Sequence, residues 1–411
     1  MVNRVELFSQ FQLVVGIFTT GIAVALVAYR WPAVSNWFSH GLSFAGCILI
    51  ANLALNVLAQ GKPEYYTVGY WLQTSLMMFR IDALAAFFLL LLGGVGAAVS
   101  LYAIGYTSGH SRHGYALLPA LFNFFILSMF LVLTASHVGI FLIAWEIMTL
   151  VSLLLILFEH ENPDNVRAGF VYVLMTHIGT AFVIAAFFIL ASAANSLSFK
   201  LLDGSALPEA TRTIVFLFAL IGFGTKAGII PLHVWLPKAH PAAPSHVSAM
   251  LSGVMLKTAI YGMCRFYLEF LGTGPLWWGV LVMGCGVLSA LLGVLYAFME
   301  NDIKRLLAYS SLENMGVILL GLGAGMVYMA KGHALLAGLA WVAALYHVFN
   351  HAIFKSLLFM GAGVVVKATG TRDMESLGGL IHTMPYTALF FLGGSAEISE
   401  FHTFNGSTSE W

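Results

Sequence analysis

The sequence predicts an all-α, polytopic transmembrane helical bundle, and three observations carry that prediction. Of the 411 residues 60% are hydrophobic and only 9% are charged, and the mean hydropathy is +0.90, well outside the range of a soluble globular domain. Apolar runs of the length a bilayer requires, about 20 residues, recur along the whole chain. The connections between them are short and polar, as in EHENPDNVR (Glu159 to Arg167) and TRDMESLGG (Thr371 to Gly379), leaving no room for a soluble domain.

The first span begins near Phe11, after MVNRVELFSQ. It carries no small-residue cleavage site and is read as a retained helix, not a signal peptide. Further runs start near Gly41, Ala83, Tyr115, Gly139, Gly169, Thr213, Val247, Pro275, Leu306 and His333, and an incomplete twelfth begins after Pro385. Basic residues in the loops divide evenly between the two faces, so the positive-inside rule selects no orientation. Lys and Arg total 18, as do Asp and Glu, so no net charge draws the chain to nucleic acid. The three cysteines, Cys47, Cys264 and Cys285, lie far apart in apolar runs. They form no C-x-x-C pair for zinc or an iron–sulfur cluster. No cofactor is expected, and any redox chemistry belongs to a partner chain.

Four ionisable residues stay inside the apolar runs: Glu146 in GIFLIAWEIMTLVSLLLILF, Lys226, Lys257 and Lys355. An ionised side chain at the centre of a span costs roughly 2.5 to 3.5 kcal/mol on insertion scales, so each needs a bundle interior, water or an opposite charge. A short carboxylate at Glu146 cannot reach the surface. For Lys355 a second reading stays open, in which the long side chain snorkels toward an interface. A lysine taken out of water holds its proton less tightly and a glutamate more tightly, and placing them together restores the charge of both. Groups of that kind change protonation when a neighbour moves, which is what a proton relay needs.

Pro231 follows Lys226 by five residues in GFGTKAGIIPLHVWLPKAH and removes a backbone donor, so the helix is expected to break near Ile230. Two readings stand side by side. Non-helical backbone at membrane depth lines a hydrated half-channel, or the helix ends at the membrane surface with Lys226 one turn inside. In LYHVFNHAIFKSLLF, His347, His351 and Lys355 are spaced i, i+4, i+8 and span an arc of about 80° on one face. His246 and Lys257, eleven residues apart, fall about 20° from each other on an ideal helix. His177 reads as a histidine bonded to a backbone carbonyl. The His347/His351 pair lacks the H-E-x-x-H carboxylate, and no metal is expected. Glycines in GFGTKAG and GLGAG follow no strand and precede no G-K-[ST], so close helix packing explains them better than nucleotide binding.

The segments AWEIMTLVSLLLILFEHE, VYVLMTHIGTA, GFGTKAGIIPLHVWLPKAHPAAPSHVSAMLSGVMLKTAIYG, NDIKRLLAYSSLENMGVILLGLGAG and YHVFNHAIFKSLLFMGAG resemble the proton-antiporter-type membrane subunits. That family includes the large pumping subunits of complex I, Mrp antiporter subunits and subunits of membrane-bound NiFe hydrogenases. ENMGVILLGLGAG and FEHENPDNVRAGF resemble most the branch of that family found in the hydrogenase-4 and formate hydrogenlyase complexes.

The resemblance implies N-terminal helices over 1–110 and two inverted five-helix repeats, over 114–271 and 275–411, each with a discontinuous helix. It implies a proton relay of Glu146, Lys226, Lys257, His347, His351, Lys355 and Glu410, with His233, His240 and His246 lining the channel around the break at Pro231. It further implies a bacterial or archaeal cytoplasmic membrane. The partners it implies are other membrane subunits and soluble Fe–S subunits of the NiFe hydrogenase or NADH dehydrogenase type, with protons or Na+ as the transported ion. The last segment departs from the pattern. Glu400, Phe401, His402 and Thr403 stand where relatives carry an Ala-Leu-Pro-Pro-like break, so the second repeat reads as truncated.

The function expected is proton movement coupled to electron transfer in partner subunits of an oxidoreductase complex. Two alternatives remain: a membrane anchor for redox subunits, in which the buried charges only specify helix pairing, and an Mrp-type Na+/H+ antiporter subunit.

Overall fold

In a solvent that cannot hydrogen-bond, a backbone must satisfy itself, and the helix is the local way to do so. The computed structural model describes residues 2–71, 75–108 and 117–399. Among these, ten helices are long and apolar enough to cross a membrane. The chain divides into two units, Met1–Phe158 with Ala191–Leu202, and Glu159–Leu190 with Asp203–Trp411.

The first unit holds α1 (Val2–Val27), α2 (Pro32–Gln60), a hairpin of β1 (Glu64–Trp71) and β2 (Ser75–Ile81), α3 (Ala83–Thr107), α4 (Leu118–Thr134) and α5 (Val138–Ile156). The hairpin corrects the all-α expectation, which treated this stretch as connection. It is antiparallel, pairing Glu64 with Ile81 and Tyr66 with Phe79, and its register shifts between Val68 and Tyr70. A glycine, residue 69, sits at that irregularity, as bulges favour. The second span also starts earlier than Gly41, because Pro32 occupies the first turn of α2, where its missing N–H costs nothing.

Phe11 of α1, Tyr66, Phe79 and Phe130 of α4 form one aromatic cluster, with centroids 4.8 to 5.3 Å from Phe11. Asp82 caps α3 by accepting from the Ala85 N–H at 3.0 Å and pairs with Arg80 at 2.9 Å. His137 caps α5, its Nδ1 accepting from the Gly139 N–H at 3.2 Å. Buried polar groups tie the helices of this unit: Asn36 donates to the Ile104 carbonyl at 2.9 Å and Asn123 to the Ser39 carbonyl at 3.1 Å.

Helix α6 (Pro163–Ala194) belongs to the second unit through Leu190. There it is followed by α7 (Glu209–Ala227), α8 (Leu236–Ala242) and a continuous helix over Ser245–Phe270. That helix comprises α9 (Ser245–Met250), a π turn (Leu251–Met255), α10 (Leu256–Cys264) and a second π turn (Arg265–Phe270). Then come α11 (Leu276–Phe298), α12 (Ile303–Ala330), α13 (Ala334–Thr369), the short α14 (Leu380–Thr383) and α15 (Pro385–Ile398).

Helices α11 and α12 pack antiparallel through glycines. A Cβ on Gly279 would lie 2.7 Å from the Gly323 carbonyl oxygen, and one on Gly316 would lie 2.6 Å from that of Gly286. Small residues thus let the backbones touch, as the glycine pattern led one to expect. At the start of α12, Asp302 caps the N–H groups of Lys304 and Arg305 at 2.9 and 3.1 Å. Its second oxygen accepts from Arg372 at 3.1 Å, which fastens the strap after α13.

Candidate functional site

Lys226 stands in the last turn of α7 and is 2% exposed. The helix closes one residue later, three residues before the expected break at Ile230. The cause is Gly228, which adopts the left-handed conformation at φ 73°, where a side chain is disfavoured. Pro231 lies inside the interruption and does not start it.

The interruption is satisfied almost group by group, as buried backbone must be. The Ile229 N–H donates to the Gly224 carbonyl at 3.1 Å, Leu232 to Ile229 at 2.6 Å and Leu236 to His233 at 2.9 Å. The Ile230 N–H donates to Ser289 Oγ of α11 at 3.0 Å, and the Trp235 indole to the Thr225 carbonyl at 2.8 Å.

Each of the three lysines is seated on a neutral acceptor. Lys226 Nζ donates to the Tyr172 hydroxyl of α6 at 3.1 Å and lies 5.4 Å from the centroid of that ring. The Tyr172 hydroxyl in turn meets Met255 Sδ at 3.9 Å. Lys257 Nζ donates to the Ser252 carbonyl at 2.7 Å, five residues back, in the π turn. Lys355 Nζ donates to Ser310 Oγ of α12 at 2.6 Å. Lys257 and Lys355 are fully buried, so Lys355 does not snorkel.

His347, His351 and Lys355 share the buried face of α13, as their spacing predicts. The two imidazole rings are 6.3 Å apart, and His347 Nε2 meets Asn314 Oδ1 at 3.1 Å. His351 faces the charges of Lys257, Lys355 and His347. His240 in α8 is buried, stacks on Phe359 at 4.8 Å, and faces Lys304, Lys355 and Lys257. Among the described residues, neither ring nitrogen of His240 or His351 finds a protein partner, an arrangement that ordered water satisfies in a polar interior.

Among the described residues, the other expected ones stand on α9, α6 and α5 and in the interruption. His246 is buried in α9, but the π turn between it and Lys257 inserts an extra residue into the helical count, so the two stand roughly 80° apart instead of 20°. His233 sits half-buried in the interruption, stacked on Tyr296 at 6.2 Å. His177 bonds the Val173 carbonyl at 3.0 Å on the exposed side of α6. Glu146 lies half-buried in α5, in the first unit. Glu410, with Glu400, Phe401, His402 and Thr403, lies outside the described residues.

Several groups escaped the sequence reading. Glu313 of α12 is the carboxylate whose charge acts on Lys355. Lys304, placed in a loop by the sequence, is 4% exposed and donates to the Ala243 carbonyl at 2.7 Å. Arg372 donates to the Pro241 carbonyl at 2.8 Å, so two cations hold the junction of α8 and α9. The acceptors Tyr172, Ser252, Ser310 and Asn314 were also missed. Ser310 and Asn314 were findable, being polar and four residues apart in an apolar run.

Residues 135–398 match the family described as NADH:quinone oxidoreductase/Mrp antiporter, TM. Hydrogenase-4 component B of Escherichia coli is 42% identical over 337 residues, covering 82% of this chain and 50% of that protein. Formate hydrogenlyase subunit 3 of the same organism is 35% identical over 396 residues, covering 95% and 62%. The chain thus spans about half the length of the curated relatives it matches. A chain in the structure of the Mrp complex from Dietzia superposes with a TM-score of 0.80 at 27% identity, over 97% of this chain and 42% of that one.

Proposed function

This chain belongs to the NADH:quinone oxidoreductase/Mrp antiporter membrane family, and from that membership we propose that it moves protons across a bacterial or archaeal cytoplasmic membrane. In this reading it is an antiporter-like subunit of an energy-converting NiFe hydrogenase or a related NADH:quinone oxidoreductase complex. The repeat division at 114–271 and 275–411 belongs to the same proposal. The observation that carries it is the seating of Lys226, Lys257 and Lys355 on two hydroxyls and one carbonyl, with buried imidazoles beside the last two. These three acceptors are uncharged, so the protonation of each lysine answers to the charged groups around it, as Lys355 does to Glu313.

The route begins at Glu146. A change of charge there alters the proton affinity of Lys226. The proton passes to Lys257, then by His351 to Lys355, with His347 and Asn314 alongside and bound water spanning the gaps. His240, which feels the charges of Lys304, Lys355 and Lys257, lines the channel beside this route. Electrons come from Fe–S subunits of the complex, and this chain supplies proton-carrying side chains only.

The test is Lys257→Ala in the assembled complex, measured as hydrogen evolution and proton uptake in inverted membrane vesicles. Uptake is expected to be lost at unchanged assembly. Unchanged uptake at unchanged turnover rejects the relay, and a loss of assembly larger than the loss of transport favours the anchor reading. An Mrp-type Na+/H+ exchange is the second reading, supported by the likeness to a chain of the Mrp complex. Sodium-dependent uptake without any redox partner would select it.

A further inference from the structure

The π turn Leu251–Met255 is touched from three sides within the second unit. The Ser252 carbonyl seats Lys257 Nζ at 2.7 Å. Met255 Sδ meets the Tyr172 hydroxyl at 3.9 Å, and that hydroxyl seats Lys226 at 3.1 Å. Ser252 Oγ meets Ser311 Oγ of α12 at 2.8 Å, both side chains being 0% exposed. Ser311 adjoins Ser310, the seat of Lys355, and both hydroxyls donate to the Leu307 carbonyl, at 2.8 and 3.2 Å. One hydroxyl–hydroxyl bond therefore joins the segment that seats Lys257 to the segment that seats Lys355.

We propose that Ser252 and Ser311 are positioning residues. Their mutual bond fixes the π-turn carbonyl against Lys257 Nζ and ties that seat to the one occupied by Lys355, so that the two lysines do not titrate independently. The inference rests on the proton-relay reading of this site. Its physical basis is that a π turn widens the backbone ladder by one residue, and a hydroxyl pair buried from solvent holds such a turn in register only while both hydroxyls are present. Neither serine contacts the lysine of the other segment directly. The groups facing these lysines are Lys355 toward Lys257, Glu313 toward Lys355, and His240, His347 and His351 toward both.

The experiment compares Ser252→Ala, Ser311→Ala, the double variant and Ser252→Thr in the full complex, as the pH profile of proton uptake in inverted vesicles at matched turnover. Each alanine variant is expected to move the midpoint by up to about one unit, the scale of a lost neutral hydrogen bond. The double variant should move it no further, since both singles remove the same bond, and Ser252→Thr should restore the wild-type profile. Wild-type midpoints in both alanine variants, in vesicles where Lys257→Ala abolishes uptake, overturn this inference and leave the relay standing. Unchanged uptake in Lys257→Ala overturns the relay and this inference with it. If Ser252→Ala fails to assemble, Ser311→Ala decides: an unshifted profile there overturns the coupling.

Discussion

Replacing Tyr172 by Phe removes a single oxygen atom from the seat of Lys226 and leaves the ring in place. The hydroxyl lost is the acceptor for Lys226 Nζ at 3.1 Å and the partner of Met255 Sδ at 3.9 Å. The ring's edge contact with Trp235, at 5.1 Å, and its position 5.4 Å from Nζ both survive. A hydrogen bond to a charged group contributes about 1.5 to 3 kcal/mol, and a desolvated cation over an aromatic ring keeps about 0.5 to 2 kcal/mol. The ring contact is common to both proteins, so the loss at the Lys226 seat is that of the hydrogen bond, at least about 1.5 kcal/mol, or roughly tenfold in a rate that depends on it. Proton uptake per electron in inverted vesicles should fall about tenfold while the amount of assembled complex holds. Ala is the wrong probe, because truncating a fully buried aromatic costs about 3 to 5 kcal/mol in packing alone and would lower assembly. A Phe variant with wild-type uptake and wild-type assembly would refute the argument that Tyr172 seats Lys226 for transfer.

Two further predictions concern stability. Burial holds the His137 imidazole below its ordinary value, and only the neutral ring can accept from the Gly139 N–H. The unfolded chain therefore binds the proton more readily, so stability is full above about pH 6.5 and falls as pH drops through it, levelling off below the folded value. His137→Asn, which keeps a capping acceptor, should flatten that dependence by about 1 kcal/mol in detergent unfolding followed from neutral to acid pH; a slope equal to wild type would contradict the cap. Gly316→Ala places a Cβ 2.6 Å from the Gly286 carbonyl. It should destabilise the α11–α12 contact by about 1 to 3 kcal/mol, lowering the midpoint of thermal unfolding, and an unchanged midpoint would show that the two helices part without cost.

The helices were legible because hydropathy and length fix a span wherever it packs. Spacing alone places His347, His351 and Lys355 on one face of α13, and the structure shows that face buried. Pro231 gave the existence of the interruption but not its start, which belongs to Gly228 and its left-handed backbone. The hairpin was overlooked since its strands, Glu64–Trp71 and Ser75–Ile81, are short beside the spans and their aromatic residues blend into the apolar background. His246 and Lys257 were aligned on the assumption of 3.6 residues per turn, and the π turn between them broke that count.

The sequence by itself settled that this chain lives in a membrane, where its spans fall, and which charges stay inside them, since these follow from local composition and period. Only the tertiary structure decided what each lysine rests on. Tyr172 is 54 residues from Lys226, and Ser310 is 45 from Lys355; no periodicity within one helix specifies such a meeting. Even the seat of Lys257, five residues away on its own helix, exists because a π turn, held across to α12 by a hydroxyl, turns that carbonyl toward it.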